Sequence, residues 1–353
     1  MGYKTRTDKK EVQIGKIRIG GYNNIAIQTM TRTKTSDIKA TIEQINHMVE
    51  LGADLVRVSV LDEEDARALK HIVPKAKCPI IADIHYNYNF AIQAILANVA
   101  KIRINPGNIG SPANVIEIIN FAKQHHVAIR IGINGGSLDL DPNGDITSQL
   151  VNCAFKWIKF FKKRKFENLV VSIKHSDPTI TYKANLQLAK KCKYPIHLGV
   201  TEAGPKDASI VKSCIALVPL LVEGIGSTIR ISINGDSEDE IKVAKLLLKN
   251  LGFNVNIHNI IACPLCGRSQ YNTTKWVEEI DEFMKDKNIP ITIGIMGCTV
   301  NGPGEAKDCN IAICVKSKTT SSLYIDKQLV KDVNNKDVIK VLKQAITKYN
   351  LGR

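Results

Sequence analysis

The sequence lacks several features that define large classes of proteins. No apolar run is long enough to cross a bilayer, so no membrane-spanning helix is expected. The amino terminus leads into charged residues without an apolar segment, so no secretory signal is expected either. Aromatic residues are only 5% of the chain, and they are not interleaved with basic runs as in many nucleic-acid-binding modules.

The chain has 353 residues, nine cysteines and a net charge of +15. An odd cysteine count, with several cysteines inside apolar runs, favours a reducing compartment and hence the cytoplasm. A positive charge could serve nucleic acid, a membrane surface or an anionic substrate. Much of the excess is lysine on helix-like stretches, which is typical of a solvated face. We therefore expect neither a nucleic acid nor a membrane as partner.

Eight short runs rich in Ile and Val recur at fairly even spacing, with helix-like stretches between them. Eight strand–helix units in about 250 residues are what a closed (β/α)8 barrel requires. An open doubly wound sheet is the alternative, but eight similar units favour closure. The runs are Ile25–Met30, Leu55–Val60, Pro79–Ile84, Lys101–Pro106, Val127–Asn134, Leu169–His175, Pro195–Glu202 and Thr228–Ile233.

The pattern changes after Gly252, where about 100 residues predict a separate, smaller α/β domain. The predicted fold class is therefore α/β, with a TIM-type barrel at 1–254 followed by a cluster-bearing domain at 255–353. The second part has three strand-like runs and two amphipathic helices. These elements are Asn259–Ala262, Ile291–Met296, Asn310–Val315, Trp276–Lys285 and Asp337–Tyr349.

Polar residues alternate with apolar ones along the barrel strands, so they share one face of each strand. We expect that face to point to the barrel axis, near the carboxyl ends of the strands, where barrels carry their chemistry. The glycine-rich turns after Asn105 and Asn134 free backbone N–H groups to approach an anion. The inward set includes Arg57, Asp83, His85, Arg103, Arg130, Asn134, Ser172, Lys174, His197, Thr201, Arg230 and Ser232, with Glu202 at the rim.

The charges in this inward set are unbalanced. Five are positive, whereas only Asp83 and Glu202 are negative. Packing unpaired cations together costs several kcal/mol per ion even after relaxation. A doubly phosphorylated ligand would supply the missing negative charge, and guanidinium groups match phosphate oxygens well.

Two short motifs near the carboxyl terminus carry potential metal ligands. The run Cys263-Pro264-Leu265-Cys266 offers two thiolates, and the run from Gly297 to Glu305 offers Cys298 and a carboxylate. Three cysteines and one acid from two loops can hold a metal ion or an iron–sulfur cluster. A Cys-x-x-Cys pair could equally be structural zinc or a thiol switch. Cys309 and Cys314 lie just beyond the motif and are left out of the site.

Several motifs of the sequence resemble those of the 4-hydroxy-3-methylbut-2-enyl diphosphate synthase family, also called IspG or GcpE. The matching stretches span nearly the whole chain. They are Val56–Val60, Ala82–His85, Arg103–Gly110, Arg130–Gly132, Thr201–Gly204, Glu223–Gly226, Cys263–Cys266 and Asn301–Glu305.

The resemblance implies an oxidoreductase of the non-mevalonate isoprenoid pathway. The substrate would be 2-C-methyl-D-erythritol 2,4-cyclodiphosphate, whose ring would open and lose a hydroxyl with two electrons. Flavodoxin or ferredoxin would supply the electrons, and the chain would form a homodimer. A [4Fe-4S] cluster would be held by Cys263, Cys266 and Cys298, with Glu305 on the fourth iron.

The resemblance also implies roles for barrel residues. Glu202 matches the position of the family's candidate acid. Three positions depart from the family pattern: Gly135 replaces a common alanine, His175 a common small residue, and Pro205 a frequent glycine. The substrate would be bound by Arg57, His85, Arg103, Arg130, Asn134, Lys174, Thr201, Arg230 and Ser232.

Overall fold

Strands and helices alternate through the first 253 residues of the chain. The computed structural model describes residues 9–138, 141–253, 258–285, 287 and 289–351. A hairpin of β1 (Val12–Ile14) and β2 (Ile17–Ile19) precedes the strands β3 (Ala26–Met30), β4 (Leu55–Val60), β5 (Ile80–Ile84), β6 (Lys101–Ile104), β7 (Ala128–Asn134), β8 (Leu169–Lys174), β9 (His197–Leu198) and β10 (Thr228–Ile229). The helices are α1 (Ile38–Glu50), α2 (Glu63–Ile72), α3 (Tyr88–Leu96), α4 (Pro112–Gln124), α5 (Ile146–Lys163), α6 (Pro178–Lys191), α7 (Lys206–Val222) and α8 (Ser237–Asn250).

The strands β3 to β10 form one parallel sheet that closes on itself. Neighbouring strands pair in the order β8-β7-β6-β5-β4-β3-β10-β9. A parallel bridge between Val171 and Ile196 joins the two ends, and the Val171 N–H donates to the Pro195 carbonyl at 3.0 Å. The predicted (β/α)8 barrel is therefore confirmed, and the open sheet is excluded.

The hairpin β1–β2 seals the amino-terminal end of the barrel, which the sequence pattern did not predict. Val12, Ile14 and Ile19 are buried against the first inward residues of the strands, such as Leu55 and Ile81. Three-residue strands carry too little periodicity to be recognised. Because this apolar cluster closes one end, polar inward side chains can be reached only from the other.

Several helices begin where the sequence supplies a capping side chain. Asp37 accepts a hydrogen bond from the Ala40 N–H at the start of α1, and Asp145 caps α5 in the same way. Ile45 and Met48 of α1 are buried, and the chain turns at Gly52, whose φ of +108° suits glycine. Among the residues described, no helix combines the length and hydropathy needed to cross a membrane.

The second unit, residues 254–353, contains a five-stranded sheet of its own. The strands pair in the order β11-β12-β13-β14-β15, of which the first three are parallel and the last two extend the sheet antiparallel. Its elements are β11 (Asn259–Ala262), α9 (Thr274–Met284), β12 (Thr292–Met296), α10 (Gly302–Glu305), β13 (Ile311–Val315), β14 (Thr320–Ile325), β15 (Gln328–Asn334) and α11 (Val338–Leu351).

The two faces of this second sheet differ. On one face, α9 and α11 pack against buried residues such as Ile293 and Ile313. On the other, Met296, Cys309 and Cys314 form a small cluster with Ala306. Cys309 and Cys314 therefore behave as buried apolar residues, and burial raises the pKa of the Cys314 thiol to about 12.

Two differences from the sequence pattern concern strand length. In the predicted strand Pro195–Glu202, regular strand pairing covers only His197–Leu198. In the predicted strand Thr228–Ile233, it covers only Thr228–Ile229. Arg230 still donates its N–H to the Leu198 carbonyl at 3.0 Å, so the chains stay adjacent beyond the paired residues. The β14–β15 hairpin was not predicted, because its outer strand is mostly exposed and polar.

Candidate active site and cysteine loops

A polar cavity of about 180 Å³ opens within the barrel, toward the carboxyl ends of the strands. Barrel enzymes carry their chemistry at this end. The structure brings together here all nine side chains that the sequence analysis expects to bind substrate. The lining residues are Arg57, Asp83, His85, Arg103, Arg130, Asn134, Ser172, Lys174, Thr201, Arg230 and Ser232.

A glycine on β7 and one just after β9 make room for the long cationic side chains. A Cβ atom at Gly132 on β7 would collide with the guanidinium of Arg103. A Cβ at Gly199 would lie 2.7 Å from Lys174 Nζ and 2.6 Å from the Arg230 carbonyl oxygen. These two glycines are therefore required by close approach, since neither has the positive φ that favours glycine.

Asp83 is the buried anion around which the cavity is organised. Arg103 Nη1 lies 3.2 Å from Asp83 Oδ1, and Arg57 Nε lies 3.5 Å from Oδ2. His85 Nε2 is 3.6 Å from the same Oδ2 atom. Burial acts to raise the pKa of Asp83, but the charge on Arg57, the His85 hydrogen bond and Arg103 hold it well below its usual range. Asp83 therefore stays ionised and orients two guanidinium groups.

The second internal anion is Glu240, which the sequence analysis missed. It lies in the first turn of α8 and is 3% exposed. Its Oε1 atom is 3.2 Å from Arg230 Nη2, and Thr29 Oγ1 donates to Oε2 at 3.1 Å. Strand alternation cannot reveal an acid that enters from a helix. The only signal was the acidic run at the start of α8, which is also typical of helix capping.

Glu202, the second acidic residue that was expected beside the inward cations, is exposed. It borders a neighbouring cavity of about 420 Å³ that shares Thr201, Arg230 and Ser232 with the first. Its φ is +50°, which is uncommon for a residue other than glycine. Such backbone conformations cluster at functional sites. The structure thus places Glu202 at the mouth, beside the cationic cavity.

Two cations in the cavity are not paired with a carboxylate among the described residues. Within the described part of the chain, no carboxylate forms an ion pair with Arg130 or Lys174. Both are buried, at 1% and 7% exposure. Burial and the charge of Arg130 lower the pKa of Lys174 well below its ordinary value. A bound anion would offset the positive charge of the cavity and favour the protonated form of Lys174.

Two of the three departures from the family pattern are coupled in space. An alanine Cβ at Gly135 would collide with the His175 ring, which lies over this glycine. The Asp177 N–H donates to His175 Nδ1 at 3.0 Å, which fixes the ring in place. The missing side chain of Gly135 therefore leaves the space that the His175 ring occupies. The third departure, Pro205, caps α7 with a φ of −59°, which proline adopts readily.

The cysteine loops lie at the carboxyl edge of the second sheet. Cys263 directly follows β11, and its N–H donates to the Ile295 carbonyl of β12 at 3.0 Å. Cys298 lies two residues beyond β12. The Gln270 N–H donates to the Gly297 carbonyl at 3.0 Å, so the two loops are in direct contact. Cys263 and Cys266 of one loop and Cys298 of the other therefore lie at the same edge of the second sheet.

The environment of Cys298 favours a thiolate. The backbone N–H groups of Asn301 and Val300 lower the pKa of its thiol, although it is only 5% exposed. Glu305 ends α10, four residues beyond Asn301, and its side chain is exposed. A Cβ at Gly304 would meet no heavy atom within 4 Å, so there is open space beside Glu305.

Within the described ranges, no three Cys, His, Asp or Glu side chains converge on one metal-ion position. The ligands of an iron–sulfur cluster bind separate irons and need not converge on a single point. Adjacent loops, a stabilised thiolate and an exposed carboxylate are a donor set suited to a cluster. We therefore regard the residues as compatible with an iron–sulfur group.

Comparison with known proteins gives matches over nearly the whole chain. Residues 9–245 match the family model described as the GcpE TIM-barrel domain. Residues 259–348 match the model described as the GcpE protein C-terminal domain. The first match falls within the first structural unit and the second match within the second unit.

Full-length relatives carry one name, "4-hydroxy-3-methylbut-2-en-1-yl diphosphate synthase (flavodoxin)". The protein from Mycoplasmoides gallisepticum is 43% identical over 97% of this chain and 96% of its own length. Those from Desulfotalea psychrophila and Bacillus mycoides are 40% and 39% identical, covering 88% and 97% of this chain and 87% and 94% of their own.

Solved structures add a likeness of fold only. A dihydropteroate synthase from Xanthomonas albilineans matches with a TM-score of 0.51 and 11% identity. The match covers 69% of this chain and 98% of the other. At this identity the likeness supports the barrel and carries nothing about the reaction.

Proposed function

The chain belongs to the GcpE family, and on that premise we propose that it reduces 2-C-methyl-D-erythritol 2,4-cyclodiphosphate to 4-hydroxy-3-methylbut-2-enyl diphosphate. It is an oxidoreductase of isoprenoid biosynthesis, in keeping with the family to which it belongs. The overall change takes up two electrons and two protons. The cyclodiphosphate ring opens, one hydroxyl leaves as water, and a linear allylic diphosphate remains.

The observation that carries this proposal is the surplus of positive charge in the barrel cavity. Five cations line it, and among the described residues only Asp83 and Glu240 form ion pairs with them. A fold gains nothing from gathering unpaired cations, since each buried charge costs free energy. A ligand with two phosphoryl groups repays that cost when it binds. The cavity is therefore suited to a cyclic diphosphate.

The cavity residues would bind the substrate and prepare the C–O bond for cleavage. Arg130 and Lys174, which lack acidic partners, would contact the phosphoryl oxygens directly. Arg57 and Arg103 would add donors whose direction Asp83 fixes. These fixed charges would stabilise the negative charge that develops as the ring opens. His85, Asn134, Thr201, Arg230 and Ser232 complete the proposed binding set.

Glu202 would act as the proton donor. It borders the neighbouring cavity, which shares Thr201, Arg230 and Ser232 with the cationic cavity. A carboxylic acid there could protonate the hydroxyl oxygen as it leaves. Its strained backbone would keep the side chain at the mouth of the cavity, where the substrate enters.

The second unit would hold a [4Fe-4S] cluster through Cys263, Cys266 and Cys298, with Glu305 on the fourth iron. Such a cluster supplies electrons and a Lewis-acidic iron. Glu305 suits this position because its exposed side chain offers an oxygen donor where the three cysteines offer sulfur. We accordingly assign substrate binding to residues 1–254 and the cluster to residues 255–353.

We also propose that the chain acts as a homodimer in the cytoplasm. Val211, Ile215, Val218 and Val222 recur at helical spacing along α7, and Val211 and Ile215 are 57% and 50% exposed. An exposed apolar stripe of this kind is typical of a protein interface. Light scattering should give twice the chain mass of 39.0 kDa. A monomeric mass would refute the dimer. The nine free thiols support a reducing compartment.

Purification without oxygen tests the proposed function. We expect about four irons and four sulfides per chain. The protein should convert the cyclic diphosphate to the linear allylic diphosphate with reduced flavodoxin, and with dithionite in its place. A colourless protein that holds only zinc, or turnover without any reductant, would refute the proposal.

Lys174→Gln provides the sharpest variant for the barrel cavity. Because Lys174 is a buried cation without an acidic partner, its removal should raise the melting temperature slightly while weakening substrate binding at least tenfold. Iron content should not change. The readouts are the KM for the cyclic diphosphate, thermal unfolding and iron analysis. A loss of stability with unchanged KM would show that Lys174 is structural.

A further inference from the structure

A groove in the second unit is lined mainly by lysines. It lies between α9 and α11, with a volume of about 680 Å³. Four lysines and a single glutamate contribute to it, so its walls are strongly positive. The lining side chains include Tyr271, Lys275, Trp276, Glu279, Lys336, Lys340 and Lys343.

The positive charge of the groove is available to a partner. Lys275 is 81% exposed, and Lys336 and Lys340 are exposed as well. Glu279 is the only acid in the lining, and it lies 3.9 Å from both Lys275 and Lys343. It can offset at most one of the four charges. Exposed lysines that repel one another do not stabilise a helix pair, so the fold itself does not explain the cluster.

The topology of the sheet places this groove at the edge that carries the cysteine loops. The strands β11, β12, β13 and β15 run in the same direction, so their carboxyl ends meet at one edge. Helices α9 and α11 both begin there, just after the cysteine loop and just after β15. The groove is lined by the first two turns of both helices and by the residues just before them.

A short covalent and hydrogen-bonded route links the groove to Cys298. Tyr271 stacks on Trp276 at the groove, with ring centroids 4.7 Å apart. The preceding residue, Gln270, donates its N–H to the Gly297 carbonyl, and Gly297 precedes Cys298. A protein docked in the groove would therefore lie next to the loops that we assign to the cluster.

We propose that this groove is the docking site for the electron donor, and that the donor presents an acidic face to it. This inference rests on the proposed function, because it assigns a surface to the donor of that same reaction. Relatives are named for flavodoxin. A flavodoxin carries its flavin at the carboxyl edge of its own sheet, so an acidic rim around the flavin would fit the lysines and bring the flavin to the cysteine edge.

The test is a charge-reversal variant, Lys275→Glu with Lys336→Glu and Lys340→Glu. Its matched control reverses three exposed lysines of α5 in the barrel unit, Lys156, Lys159 and Lys163. Both triples change the net charge equally. Activity is measured on the anaerobically purified, cluster-loaded enzyme, with reduced flavodoxin and separately with dithionite.

We expect the groove variant to lose at least tenfold in flavodoxin-dependent kcat/KM at low salt, because steering by complementary charge typically contributes about 10- to 1000-fold to association. Dithionite-dependent turnover should be unchanged, and the α5 control should resemble the wild type. Neutral Lys→Gln changes at the same three groove positions should have an intermediate effect. Equal losses in both triples, or no loss in the groove variant, would overturn the proposal.

Direct binding separates failure of this proposal from failure of the proposed function. Calorimetric titration with oxidised flavodoxin should show binding that weakens with salt and is lost in the groove variant, even if the cyclic diphosphate is not turned over. A groove variant that binds flavodoxin normally but no longer binds an RNA or DNA oligonucleotide would refute the donor site. So would a change limited to the oligomeric state.

Discussion

Replacing Cys298 with serine should abolish the cluster and all reductive turnover. Cys298 is buried at the first turn beyond β12, where the N–H groups of Asn301 and Val300 favour a thiolate. A serine hydroxyl fits the same space but stays protonated near neutral pH, so it cannot replace a thiolate ligand. Iron and sulfide analysis, visible absorbance and turnover with dithionite measure the loss. The far-UV circular dichroism should be retained.

Cys314→Ala is the matched control for that variant. Cys314 is also buried in the second unit, but burial raises the pKa of its thiol to about 12, so it is a poor ligand. It packs with Met296 and Cys309 on the far face of the sheet from α9 and α11. The control should keep its iron and its activity. Retention of a full cluster by the Cys298 variant would remove this residue from the ligand set.

The largest effect on stability is expected for Asp83→Asn. Among the described residues, the change removes the only carboxylate that forms an ion pair with Arg57 or Arg103, and it leaves two buried guanidinium groups without that partner. Breaking a buried pair in this way typically costs about 3–5 kcal/mol of unfolding free energy. Glu63→Gln, which breaks an exposed pair with Arg67, should cost less than about 0.5 kcal/mol.

The pH dependence of that effect has a definite sign. The folded-state pKa of Asp83 is depressed below the ordinary value of about 3.9. Its contribution to stability is therefore complete above that value and is lost as the pH falls below it. Wild type and variant should differ most near pH 7 and converge at acid pH. Denaturant unfolding at several pH values tests this, and a difference that grows below pH 4 would contradict it.

The repeated units of the barrel could be predicted because each strand carries its own signal. In β4, for example, Val56 and Val58 face the helices while Arg57 faces the axis, and every second residue repeats this division. Alternation of this kind depends on the strand alone. It therefore places inward residues correctly even though no contact between strands is known.

Features that depend on contacts between distant segments could not be predicted. Glu240 reaches Arg230 from a helix, so no periodicity along a strand indicates it. The hairpin β1–β2 is recognisable only once the open end of the barrel that it covers is known. The three thiols belong to two loops that are brought together by the pairing of β11 with β12, so their grouping is also a contact between distant segments. The role of these thiols as cluster ligands stays a prediction.

The contact between Gly135 and His175 makes the two positions unequal in what they tolerate. An alanine at position 135 would place a methyl group in the space of the His175 ring, so it requires a change at His175 as well. Removal of the histidine ring requires no change at Gly135, because it frees space instead of filling it. The dependence between the two residues therefore runs in one direction only.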